Sequence, residues 1–333
     1  MRPQKFKTRI TELFGIRHPI LCGGFMWLSD ANYVAAGVNA GCMSFMTAKT
    51  FADVGRWREE LAKCGELTGG KPYGVNLYAS LRSEDSEMLK GHLEAALEAG
   101  VRHFETAGAP PTVLLPRLRE ASAVVVHKVA AVRHAISAAA KLDIDAITIV
   151  GMECGGHPGL HMVGTMVQGL VAAERIHLPV VIGGGIGHGR QIVAALGFGA
   201  EGVIIGTRFL VAEEIWSHDA VKQRVVEAGE TDSALVLASQ RNTYRVIDNE
   251  STRAVAALEA AGETDFEKYR PYVQGSQQKM AYETGDWNSG MLAMGQAAVF
   301  ADKIEPMESI VDGLVDQASA GLERLNAVAS AVG

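Results

Sequence analysis

The chain has 333 residues, 48% of them apolar and 21% charged. That supports a large core and excludes disordered, collagen-like and disulfide-stapled classes. Its 31 basic and 38 acidic residues leave a net charge of −7, the opposite of a nucleic-acid binder's basic footprint. The four cysteines (Cys22, Cys42, Cys64 and Cys154) are far apart, with no CxxC pair. Neither a zinc site nor a disulfide framework is expected, and no metal of any kind. The first ten residues lack the apolar segment of a secretory signal, and no apolar run reaches the ~18 residues of a membrane span. The expectation is a cytoplasmic protein with a small-molecule ligand, no membrane or nucleic-acid partner, and a homodimer left open.

Glycine accounts for 37 residues, concentrated where short apolar runs end. Eight such runs follow one another: Pro19–Gly24, Met43–Ala48, Tyr73–Ala79, His103–Gly108, Val124–Val129, Ala146–Gly151, Val180–Gly185 and Gly202–Phe209. Between them lie stretches of helical spacing, among them Phe51–Cys64, Ser83–Ala99, Ala131–Leu142 and Arg190–Phe198. Strands apolar on both faces and alternating with helices are parallel strands buried by crossover helices. Eight in succession predict a (β/α)8 TIM barrel, with a doubly wound sheet as the alternative. Past Leu210 the rhythm changes to helices alone: Ala220–Ala228, Ser251–Ala261 and Ser276–Thr284. Met307–Val332 is amphipathic and is expected to pack back on the barrel. The division is a barrel over 1–211, a helical insertion over 212–295 and a C-terminal helical segment over 296–333.

Active sites of such barrels sit at the C-terminal strand ends. The ends of the seventh and eighth strands, Gly183-Gly184-Gly185-Ile186-Gly187 and Gly206-Thr207-Arg208-Phe209, present backbone N–H groups with no Cβ in the way, and barrels often bind phosphate there. The dinucleotide pattern GxGxxG fails, because position 188 is His. Tight turns without a ligand are the plain alternative. His157 lies among small residues, Cys154 to Gly159, past the sixth strand, where it can exchange a proton. His127 is expected to point into packing, and His134, His177 and His188 to lie on helix or loop surface. Lys128 caps the fifth strand inside the mouth, where a lysine needs a partner, a shifted pKa or a covalent role, unless it reaches solvent past the rim. Cys154 reads as small filler. Asn76 is either an amide for a heteroaromatic ligand or a turn-former. Arg241-Asn242-Thr243-Tyr244-Arg245 either faces the mouth or is solvated.

The ordered set GGxM from Gly23, Gly74-Val75-Asn76, His127-Lys128, Glu153-Cys154-Gly155-Gly156-His157-Pro158-Gly159, Gly183-Gly184-Gly185 and Gly206-Thr207-Arg208-Phe209 resembles the nitronate monooxygenase family, formerly called 2-nitropropane dioxygenases. The resemblance covers nearly the whole chain and implies an FMN-dependent barrel with a helical second domain. It implies that Gly23, Gly24, Asn76, Lys128, Gly155, Gly156, Gly184, Gly185, Gly206 and Thr207 line FMN, with His157 catalytic on the substrate side. The HPG and RNT segments look most like bacterial NADH:quinone reductases of the family. Three positions depart from it: Cys22 replaces an amide that would contact the isoalloxazine, Val150 a polar residue, and Ala79–Glu87 lacks a proline-rich stretch. The expected activity is transfer of electrons from NAD(P)H, through FMN, to a quinone or an activated alkene. Nitronate oxidation with O2, reduction or desaturation of an enoyl thioester, and a Schiff-base lyase using Lys128 are the alternatives.

Overall fold

The computed structural model describes residues 6–79 and 83–330, with the backbone alone for 83–86. A short helix, α1 (Arg9–Phe14), leads into β1 (Ile20–Cys22), α2 (Ala31–Asn39), β2 (Met43–Thr47), α3 (Val54–Leu67), β3 (Gly74–Ala79) and α4 (Ser83–Glu98). The alternation continues with β4 (His103–Gly108), α5 (Leu115–Glu120), β5 (Val124–Val129), α6 (Val132–Lys141) and β6 (Ala146–Val150). It ends with α7 (Thr165–Arg175), β7 (Val180–Gly183), α8 (Gly189–Gly197) and β8 (Gly202–Ile205). All eight strands pair in parallel, and β8 pairs with β1, closing the barrel expected from the sequence.

The period of two along each strand sorts residues between the barrel interior and the helix layer. Leu21, Phe45, Val126, Val181 and Ile204 point inward and form one buried cluster with Ile10 and Phe14 of α1. Phe14 meets Phe45 edge-on, with ring centroids 6.1 Å apart. Helix α1 thus plugs the N-terminal end, and a cavity opens at the C-terminal strand ends. The outward residues form the larger core against the helices. Cys22 belongs to this outer set: its Sγ lies against Gly37 of α2. The cofactor contact tied to this position in the sequence is therefore not available to its side chain. The Ala79–Glu87 stretch falls mostly outside the described residues.

After β8 the chain forms α9 (Asp219–Val226), β9 (Ser233–Val236), β10 (Tyr244–Ile247), α10 (Glu250–Ala260), α11 (Phe266–Val273) and α12 (Gly275–Thr284). The antiparallel pair β9–β10 was not foreseen by the reading of helices alone. Val236, Val246, Val255 and Tyr269 give this region a small core of its own. The last helix, α13 (Met307–Ser330), packs between α8 and α2, the place of the eighth crossover helix. Its approach to α8 requires Gly189, where a Cβ would stand 2.0 Å from the Leu314 carbonyl oxygen. Among the described residues no helix is long and apolar enough to cross a membrane.

Candidate active site

The barrel mouth holds a cavity of about 790 Å³ between the strand ends and the insertion, within the ~300–1,000 Å³ range of small-molecule sites. Its floor comes from neighbouring strands. Thr47, Asn76 and Glu105 are in-register partners across β2, β3 and β4. Glu105 is fully buried, and its Oε2 accepts from Lys128 Nζ at 2.8 Å and from the Asn76 amide. Among the described residues its Oε1 has no partner, nor has the buried Thr47 hydroxyl on the cavity wall. Lys128 thus has the partner that a lysine in the barrel mouth needs.

The phosphate-type cradle arises from how the β7 turn is held. Gly184 and Gly185 have φ of +100° and +72°, conformations glycine adopts without strain. Thr165 Oγ1 lies 3.1 and 2.8 Å from the carbonyl oxygens of Gly183 and Gly184 and 2.8 Å from Glu153 Oε2, three acceptors that share its single proton. Gln191 Nε2 donates to the Gly185 carbonyl at 2.7 Å, and Glu153 accepts from the Thr165 N–H at 2.9 Å. Among the described residues, the N–H groups of Gly184, Gly185 and Gly206 have no acceptor. Such a nest of N–H groups suits an anion. At Gly206 a Cβ would meet only Phe25, at 3.6 Å, so the space before it is open.

The third wall joins barrel to insertion. Gly156 and Arg245 exchange two backbone hydrogen bonds of 3.0 and 2.7 Å, docking β10 on the loop after β6. Arg245 is buried, and its Nε donates to the Met152 carbonyl at 3.1 Å. This brings Tyr244 face to face with His157, with centroids 4.4 Å apart and planes 13° from parallel. His157 is exposed and borders the cavity, and desolvation by the surrounding protein lowers its pKa. Burial pushes the Cys154 thiol up to about 12, which leaves it inert as a nucleophile although it lies on the cavity wall.

Every residue named from the sequence as cofactor-lining or catalytic borders this one cavity. His127 is buried as expected, with Nδ1 2.9 Å from the Thr106 hydroxyl and burial lowering its pKa to about 4. His177 is exposed, and His188 caps α8 through Nδ1. His134 is exposed on α6, as expected, and also lines the cavity. Arg241 to Tyr244 face the mouth, the functional side of that alternative. Sequence reasoning missed Glu105, Thr47, Thr165 and Gln191. A carboxylate inside the apolar run Phe104-Glu105-Thr106 was the available signal for the first.

The nitronate monooxygenase family model matches residues 7–317. A relative from Mycobacterium tuberculosis, (3aS,4S,5R,7aS)-5-hydroxy-7a-methyl-1-oxo-octahydro-1H-indene-4-carboxyl-CoA dehydrogenase, is 30% identical, over 97% of this chain and 99% of its own. A probable nitronate monooxygenase from Staphylococcus saprophyticus is 27% identical, over 74% of this chain and 80% of that one. The solved structure of FabK from Thermotoga maritima has a TM-score of 0.88 at 27% identity, covering 97% of this chain and all of that one. With a closed barrel, a glycine cradle at its mouth and a match across nearly its full length, this chain belongs to the nitronate monooxygenase family of flavin-dependent oxidoreductases.

Proposed function

We propose that the protein is an FMN-dependent oxidoreductase acting on the Cα–Cβ bond of a bulky acyl thioester. The observation that carries this reading is that His157, stacked on Tyr244, shares one cavity lining with the strand-end glycines and with apolar side chains of the insertion. Three features support FMN as the cofactor: one anion nest without a dinucleotide fingerprint, an unpartnered Thr47 hydroxyl on the wall, and the Asn76–Lys128 floor. Gly184, Gly185, Gly206 and Thr207 would hold its phosphate, and Asn76 and Lys128 its ring. When bound, FMN supplies the acceptor for the electron pair that leaves Cβ as hydride.

His157 takes the Cα proton, which the thioester carbonyl acidifies, and Tyr244 fixes the plane of the imidazole by stacking. Met26, Trp27, Leu160, Leu237 and Phe266 line the outer cavity and exclude water from a large acyl group. His134, on the cavity wall, has Nε2 3.2 Å from Arg133 Nε, Arg133 Nη1 lies 3.0 Å from His161 Nε2, and the exposed Arg241 lines the same cavity. These cations suit a phosphate-bearing carrier such as that of the CoA-thioester relatives. In this direction a quinone takes the electrons onward. NAD(P)H drives the reverse, reduction of the conjugated alkene.

A second reading, oxidation of a nitronate with O2, rests on the family and on the same base. The broad apolar outer cavity favours the thioester. Anaerobic mixing of the yellow protein with acyl-CoA thioesters, nitronates and NAD(P)H tests both, read as bleaching of the flavin. Bleaching by an acyl-CoA is expected. Bleaching by nitronates alone would move the assignment to the second reading, and a colourless protein that binds no added FMN would refute both.

A further inference from the structure

We infer that Glu105 is the positioning residue that sets the hydrogen-bond polarity of the cofactor floor, an inference that rests on the FMN reading above. A carboxylate with no exposed surface is costly to bury, and a pair that served stability alone could be replaced by apolar residues. Here a single oxygen, Oε2, serves both Asn76 Nδ2 and Lys128 Nζ, while Oε1 is left without a partner. Both donors belong to side chains on the cavity wall, whereas Glu105 lies beneath it.

The consequence follows from the donor inventory. A carboxylate only accepts, so the Asn76 amide must turn its NH2 toward Glu105, and its Oδ1 is directed away from it. Lys128 spends one N–H on the same oxygen and keeps two. The floor therefore presents a carbonyl acceptor beside a cationic donor. That pair complements an imide edge, an N–H flanked by a carbonyl oxygen, such as the N3–H and C2=O of an isoalloxazine. With Gln at 105 the amide could face either way, and the lysine would lose its counter-charge.

The test compares binding of FMN with that of its N3-methyl analogue, which has no N3–H, by reconstituting the holoenzyme and following quenching of flavin fluorescence. Wild type is expected to bind N3-methyl FMN at least about 10-fold more weakly, the value of a hydrogen bond lost with its acceptor left unpaired. In Glu105→Gln the affinity for FMN falls and the discrimination shrinks to about 3-fold or less. A Glu105→Gln protein that binds both flavins with the wild-type ratio would overturn the inference. So would a wild type that binds FMN tightly yet does not distinguish the analogue, a measurement that needs no variant to fold. A wild type that binds neither flavin would overturn the FMN reading itself.

Discussion

Replacing Lys128 with Met should destabilise the protein by about 3 kcal/mol, although Met matches the aliphatic stem of Lys. The magnitude comes from what the change leaves behind. Glu105 is wholly buried, and loss of Lys128 would leave it with the Asn76 amide as its one neutral donor. Removing one member of a buried pair costs ~3–5 kcal/mol, because the other charge stays uncompensated. The Lys128 side chain is 22% exposed, so water reaches the pair from one side and the lower end applies. Glu105→Gln combined with Lys128→Met removes the orphaned charge but keeps an acceptor for Asn76, and should recover all but about 1 kcal/mol. Urea denaturation of the flavin-stripped proteins at neutral pH measures the cycle without contribution from cofactor binding. A Lys128→Met deficit below about 1 kcal/mol, or a double variant no better than the single one, would refute the claim that a desolvated charge sits under the floor.

His157→Ala should keep its flavin but lose roughly 10²–10⁴-fold in turnover; the wild-type rate should fall as pH drops below the ordinary His value of 6.5 through the depressed one, because the base is then protonated. Pre-steady-state kinetics across pH checks both, and a variant with wild-type turnover would remove His157 from the chemistry. Gly206→Val should remain colourless, since its Cβ enters the open space of the cavity and its φ and ψ of −114° and −85° lie outside the regions a β-branched residue prefers. Gly185→Val should also lose stability, by about 1–2 kcal/mol from its φ of +72°; thermal melts and flavin content separate the two cases. His127, held near 4 against 6.5 when unfolded, supports a fold that is fully stable above pH 6.5 and loses up to about 3 kcal/mol as pH falls toward 4. His127→Gln should flatten that part of the urea-stability profile.

The barrel was legible because parallel strands buried on both faces leave a plain trace. Val124–Val129 and His103–Gly108 form strands with the bounds read from composition. The pair β9–β10 left no such trace: each strand has four residues, and Ser233, Arg245 and the exposed Leu235 break any simple alternation. Glycines at strand ends pointed to the cradle, but the groups that aim it, Thr165 and Gln191, lie on helices where they read as ordinary polar residues. The outward orientation of Cys22 was not legible, because a position next to a glycine pair says nothing of which barrel face its side chain takes; the two-residue period of β1 decides that. The stacking of His157 on Tyr244 joins residues 87 positions apart in the sequence and depends on a bridge that no local pattern encodes.

The position of α13 ties the roof of the cavity down at both ends. The groove between α2 and α8 receives Ile310, Val311, Leu314 and Val315, all buried. The insertion leaves the barrel after β8 and returns to it in α13, so it is a long loop with both ends fixed in the ring rather than an arm on one hinge. The entropy of closing such a loop grows only as the logarithm of its length. Residues added to or removed from the insertion would therefore reshape the roof at little cost to the ring beneath it.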